Sequence, residues 1–161
     1  MRFVLIDRIT EIQPGESIQA VKNLTRAEEY LADHFPGFPI MPGVLMLESL
    51  TQTAAWLMRV SGNFEYDHIM LQKAAAVRYK NFISPGQTLH TECKLTKQDE
   101  NLWTFKARGS VDGKENVSAK ITLKQEKLSQ KRSSLAATED DRLVFWKKQF
   151  VELGGDEGLL S

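Results

Sequence analysis

The sequence predicts an α+β fold in which an antiparallel β-sheet wraps around one long apolar helix. Three observations carry that prediction. Val44 to Val60 is a nearly continuous apolar stretch of helical length. From Ile69 onward the hydrophobic period changes to two, the mark of half-buried antiparallel strands. A helix that is apolar on almost every side needs cover all round, and one curled sheet supplies it with the fewest elements.

Taken in order, Phe3 to Ile12 is rich in β-formers and predicts a first strand. Pro14-Gly15 makes a turn, and Ser17 to Leu24 a second strand, completing a hairpin. Thr25 and Glu28 have capping-box spacing ahead of a short helix ending near Ala32. The segment His34-Phe-Pro-Gly-Phe-Pro-Ile-Met-Pro-Gly43 packs three prolines and two glycines into ten residues, a stiff loop held at low entropic cost. It leads into the long helix, with Pro42 near its first turn and Gly62 just past its end.

A strand near Ile69–Lys80 and three more follow. Their alternating sets are Leu89, Thr91, Cys93 and Leu95; Trp103, Phe105, Ala107, Gly109 and Val111; and Val117, Ala119, Ile121 and Leu123. Turns fall at Gln98–Asn101 and at Asp112-Gly113. Beyond Leu123 the composition becomes polar, so residues 1–123 are expected to form one domain and 124–161 a linker or weak helix followed by an amphipathic helix. Thr138 opens that helix, Leu143, Trp146, Phe150 and Leu153 recur at helical spacing, and Gly154-Gly155 stop it. Such an aromatic face docks on its own domain, a sister subunit or another protein.

Composition narrows the function. At 161 residues the chain is about one domain long, with 21 basic and 21 acidic residues, so it is not built to coat nucleic acid. Charge is nevertheless uneven: residues 1–72 carry −4 (five basic, nine acidic) and residues 73–120 carry +4 (nine and five). The basic middle steers acidic partners or simply decorates solvent faces. Glu48, Gln52 and Arg59 interrupt the most apolar stretch, which argues against a membrane span. No signal-peptide pattern is read at the N-terminus, and a lone cysteine fits a reducing compartment, so the expected location is the cytoplasm.

Glu48 is the strongest local anomaly, a carboxyl inside an apolar helix with Thr51 and Gln52 beside it at i+3 and i+4. Desolvation there would raise its pKa towards that of a useful general acid. A buried glutamate bonded to a backbone group is the competing explanation, and spacing leaves both open. His34 opens the rigid loop, a setting suited to fixing a base. The helix-start N–H groups of Gly43 and Val44 are free to face a developing oxyanion. Base, acid and oxyanion donors together suit proton abstraction beside a carbonyl and loss of a hydroxyl. His90 and Cys93 are three apart on a strand and face opposite sides, so they make no metal site, and Cys93 falls on the core side. There is no phosphate-binding or nucleophile-elbow motif, and no cofactor is implied.

The run from His34 through Pro42-Gly43-Val-Leu-Met-Leu-Glu48 to Gln52 closely resembles the (3R)-hydroxyacyl acyl-carrier-protein dehydratases of the FabZ/FabA type. The likeness extends from Leu5-Ile-Asp-Arg8 through Ala20–Asn23, Val77–Lys80 and Pro85-Gly86 to about Leu123. It implies the hotdog fold and dehydration of 3-hydroxyacyl thioesters to trans-2-enoyl thioesters in fatty-acid biosynthesis. It further implies His34 as base, Glu48 as acid, Gly43 as backbone donor to the thioester carbonyl, the Ile40 carbonyl as the group orienting the histidine, and Gln52 as a nearby polar residue. Val44 shares the substrate-binding helix start. A homodimer, with histidine and acid from different subunits, or a trimer of such dimers follows from the same resemblance. Acyl carrier protein is the implied partner, with Arg78 and Lys80 as candidate docking residues. Asp33, Thr51 and Asn81-Phe82 depart from the family's common residues, as does the segment from Lys124 onward. A hotdog hydratase or thioesterase acting on coenzyme A thioesters, and a non-catalytic hotdog binding subunit, are the alternatives.

Overall fold

Alternating strands and one apolar helix produce the architecture they predict. The computed structural model describes residues 3–160. Two strands, β1 (Arg8–Gln13) and β2 (Ser17–Asn23), precede a 3₁₀ turn at Glu29–Leu31 and the helix α1 (Gly43–Ser61). Four strands follow: β3 (His68–Tyr79), β4 (Thr88–Asp99), β5 (Leu102–Val111) and β6 (Lys114–Glu126). A one-turn α2 (Leu128–Lys131), a 3₁₀ segment at Ser133–Thr138 and α3 (Glu139–Glu152) complete the main elements. All six strands belong to one antiparallel sheet, in the order β1-β2-β4-β5-β6-β3. This is the hotdog arrangement, with α1 as the wrapped helix.

The period-two pattern sets which side chains meet α1. On β4, Leu89, Thr91 and Cys93 are buried while His90 and Lys94 face solvent. Trp103, Phe105 and Ala107 of β5 and Val117, Ala119, Ile121 and Leu123 of β6 join them against Leu50, Ala54, Leu57 and Met58 of α1. Each fully buried large side chain contributes about 1.5–3 kcal/mol relative to exposure. Gly109 lies where β4, β5 and β6 crowd together, since a Cβ there would come within 2.8 Å of the Leu89 and Val117 side chains. The β5–β6 hairpin turns on Asp112 and Gly113, at φ of 50° and 74°, as a two-residue primed turn requires.

Three expectations are corrected. The first strand starts at Arg8, because the Phe3 and Leu5 main chain is engaged by the Gln52 side chain on α1 instead of a neighbouring strand. The capping box does not form. Thr25 Oγ1 accepts from the Ala27 N–H, and Glu28 turns instead to the buried Lys22 ammonium, 2.8 Å away, which Asp7 also contacts. Ion pairing thus takes the carboxylate that the cap needs, and only a 3₁₀ turn follows. Finally, α1 is not buried all round. Val44 is 68 % exposed and Leu45, Leu47 and Glu48 are half-buried, whereas burial is continuous from Ser49 to Val60 except at Gln52. Near the helix tip the Tyr79 ring lies against Gly43.

The polar segment after β6 is exposed, and α3 then packs into the main core. Phe150 is fully buried beside Trp56 and Phe64, with ring centroids 6.1 and 5.9 Å away. Trp146 stacks edge-on against Trp56 at 5.7 Å and donates its indole N–H to the Asp67 carbonyl at 3.1 Å. The Asp67 carboxylate accepts from Arg142 and from the Leu128 N–H. At the far end the Leu153 carbonyl accepts the Ile9 N–H, joining α3 to β1. Gly154, at φ 82°, closes the helix. Its N–H bonds the Val151 carbonyl and the Gly155 N–H bonds the Phe150 carbonyl, a Schellman stop. Trp146, Phe150 and Leu153 therefore dock on the same chain's core.

Candidate active site

The stiff loop is pinned from beneath and open on top. Ile40 and Met41 are buried, and the Met41 N–H donates to the Ile83 carbonyl, while Phe35 and Phe38 stand in solvent. His34 sits half-buried at the head of this loop, its ring edge-on to Phe35 at 4.6 Å. Its Nδ1 is 3.3 Å from the Ile40 carbonyl oxygen. A carbonyl can only accept, so this contact favours the proton on Nδ1 and leaves the Nε2 lone pair as the basic one. The loop's φ of 52° at Phe35 and its prolines restrict the histidine's approach.

Glu48 projects from the second turn of α1. Its Oε1 accepts from Gln52 Nε2 at 3.0 Å. The same amide bridges to residues 3–5: Nε2 donates to the Phe3 carbonyl and Oε1 accepts the Leu5 N–H, both at 3.0 Å. Gln52 thus tethers the Glu48 carboxyl to the N-terminal segment. Thr51, placed with them on one stripe by spacing, bonds back to the Leu47 carbonyl and contributes no bond to Glu48. Pro42 supplies no side-chain cap to α1, and among the described residues no side-chain oxygen engages the first-turn N–H groups of Gly43 and Val44.

Beside Glu48 runs a cavity of about 440 Å³, lined near the acid by Thr51 and Gln52 and farther along by Trp56, Arg59 and Trp146. Among the described residues that line it, His34 is absent. Arg78 and Lys80 lie exposed along a second groove with Lys106, Arg108 and Lys120, where Lys80 pairs with Glu115 at 2.7 Å. Cys93 is fully buried, its thiol 3.4 Å from the Leu50 carbonyl, and burial pushes its pKa well up. Among the described residues no cluster of histidine, cysteine, aspartate and glutamate is arranged to hold a metal, and no helix is long and apolar enough to cross a membrane.

Arg59, which interrupts the apolar stretch together with Glu48 and Gln52, is a cavity residue that motif spacing did not single out. The signal was available, since it is a charge on the same apolar helix that made Glu48 conspicuous. What spacing did not disclose is that α3 folds back to build the other wall of the same cavity.

The comparisons agree with the motif. The chain is 39 % identical over 120 residues to the 3-hydroxyacyl-acyl-carrier-protein dehydratase FabZ of Levilactobacillus brevis, covering 74 % of this chain and 81 % of that protein. It is 36 % identical over 121 residues to the protein of the same name from Rickettsia bellii, covering 74 % and 83 %. Among solved structures, the dehydratase heterocomplex ApeI:P from Xenorhabdus doucetiae superposes with a TM-score of 0.67 at 19 % identity, over 83 % of this chain and 90 % of that one, a likeness of fold. Residues 1–120 match the FabA-like domain, and the chain belongs to that family.

Proposed function

We propose that this protein dehydrates (3R)-hydroxyacyl thioesters carried on acyl carrier protein to trans-2-enoyl thioesters, as a hydro-lyase of fatty-acid biosynthesis. The observation that carries the proposal is the tethered Glu48 carboxyl at the mouth of an acyl-sized cavity, with His34 oriented by the Ile40 carbonyl on the loop that leads into the same helix, both residues within the segment that matches dehydratases. His34 Nε2 takes a proton from C2, and that C–H electron pair becomes the C2–C3 double bond. The C3–O bond breaks, and Glu48 in its acid form gives the departing hydroxyl its proton, releasing water. The Gly43 N–H at the positive end of α1 stabilises the enolate-like oxygen of the thioester, with Val44 beside it.

The working unit is a homodimer in which one subunit's loop brings His34 to the other's Glu48, whether it acts alone or as one of three such dimers. Support comes from β3, an edge strand of twelve residues whose Met70, Leu71 and Tyr79 are exposed. An uncovered edge of that length is a template for pairing with another chain. The acidic carrier docks on the basic groove of Arg78 and Lys80. Residues 1–123 form the dehydratase domain and 124–161 an accessory wall on it, and the enzyme works in the cytoplasm without a cofactor.

The test is dehydration of carrier-linked and coenzyme A-linked 3-hydroxyacyl substrates by the wild type, His34→Ala and Glu48→Gln. Loss of a general acid or base removes about 10²–10⁴-fold in rate. Both variants should lose at least that while remaining folded dimers. Turnover surviving in His34→Ala would overturn the assigned base, and preference for coenzyme A thioesters would move the assignment to a hydratase.

A further inference from the structure

Arg59 is 7 % exposed, in the last turn of α1. Its Nε–H is buried with no hydrogen-bond partner among the described residues. What surrounds the guanidinium is aromatic: its central carbon lies 3.9 Å from the Trp146 ring centroid and 5.2 Å from that of Trp56. Cation–π contact offsets part of the desolvation cost, but it supplies no acceptor for the planar fork of donors. Burial pushes the group down to about 9, which still leaves it cationic at neutral pH. Buried charges in proteins are paired or hydrogen-bonded, so an unpaired one facing a cavity is the signature of a missing anion.

That cavity is the one that begins at Glu48. Between its two ends the lining is largely apolar, including Ile6, Ala55 and Leu153, with Gln149 and His68 as further polar groups. Arg59 is eleven residues beyond Glu48, about 16 Å along the helix axis. Both side chains lean back towards the N-terminus and the arginine is the longer, which leaves on the order of 13 Å between the head groups; hydrogen bonds at the two ends take up about 4 Å, and the rest is about the span of the seven bonds from C3 to C10 of a ten-carbon chain at roughly 1.25 Å per bond. The wall that holds Trp146 over the guanidinium belongs to α3, outside the segment shared with the dehydratase family.

We propose that Arg59 is a specificity-determining residue that receives a carboxylate at the far end of a medium-length acyl chain, so that the preferred substrate is a 3-hydroxy-dicarboxylic acyl thioester. The proposal rests on the dehydratase function above. A guanidinium pairs with a carboxylate through two parallel hydrogen bonds, and between the two tryptophan rings a terminal methyl would leave that fork unsatisfied. Rejection of the substrate that lacks the group is then the larger part of the discrimination.

The experiment compares ten-carbon carrier-linked 3-hydroxyacyl substrates ending in carboxylate or in methyl, with the wild type, Arg59→Met and Arg59→Lys. Wild-type kcat/KM should favour the carboxylate substrate at least tenfold. Arg59→Met, which retains length and apolar stacking, should reverse that order, and Arg59→Lys should retain part of it. A wild-type preference for the methyl substrate, equal use of both, or a ratio unchanged in Arg59→Met overturns the proposal. A binding measurement separates this result from the dehydratase function itself. Calorimetry with free sebacate and free decanoate should show sebacate bound more tightly by the wild type and the difference lost in Arg59→Met. No turnover of any substrate, with sebacate binding that depends on Arg59, refutes the dehydratase and retains the carboxylate site. Turnover with no such dependence does the reverse.

Discussion

Replacing Phe150 with alanine removes the side chain through which α3 enters the core. The ring is fully buried, flanked by Trp56 and Phe64 within 6.1 Å and covered by Gly155, whose missing side chain leaves the ring its space. Phenylalanine-to-alanine changes in cores cost about 3–5 kcal/mol, and the aromatic pairs add about 0.5–1.5 kcal/mol each beyond area burial. Because α3 is the last long element, local loosening relieves part of the strain, so the lower end, about 3 kcal/mol, is expected. With a urea m-value of about 2 kcal/mol/M, the midpoint should fall by roughly 1.5 M. Equilibrium urea unfolding, followed by tryptophan fluorescence and far-UV circular dichroism, measures this. Trp56 and Trp146 report directly on the docking face. A shift worth less than about 1 kcal/mol with an unchanged m-value would refute the claim that α3 is integral to the core.

The buried thiol of Cys93 should resist alkylation by iodoacetamide at pH 8 in the native protein and react fully in urea; native labelling at the unfolded rate would contradict its place under Leu50. Asp67 should make stability pH-dependent in the acid range. Burial works to raise its pKa, but the Leu128 N–H and the Arg142 guanidinium outweigh this and hold the carboxyl below the usual aspartate range. A pKa lower in the folded than in the unfolded chain stabilises the fold above about pH 4 and loses that contribution as pH falls through the folded value. Asp67→Asn should therefore cost about 2 kcal/mol at neutral pH. The gap from wild type should close on acidification, and a gap that stays constant down to pH 2 would count against the pairing.

Much of this molecule is set locally. Period-two alternation on Leu89, Thr91 and Cys93 decides which face meets the helix, because a strand's side chains alternate whatever surrounds them. The Asp112-Gly113 turn and the Gly154 stop are likewise local, since each rests on a positive φ. The run from His34 to Glu48 was legible for the same reason: a proline-rich loop entering a helix fixes its geometry within a few residues. Local rules failed where a distant partner competed. Glu28 had the spacing of a capping box, but Lys22, the penultimate residue of β2, drew it into an ion pair. The Phe3–Leu5 main chain had the composition of a strand, but Gln52, far along the chain, took its hydrogen bonds.

From the sequence alone came the sheet, the wrapped helix, the stiff loop that carries His34 and the place of Glu48 on the helix, because periodicity and motif spacing are properties of neighbouring residues. Only the tertiary structure decided that Gln52 tethers Glu48, that α3 closes over the cavity, and that Arg59 is buried between two tryptophans. Those arrangements arise when segments remote in sequence compete for the same hydrogen bonds and the same apolar surface, and that competition is resolved only by packing the whole chain.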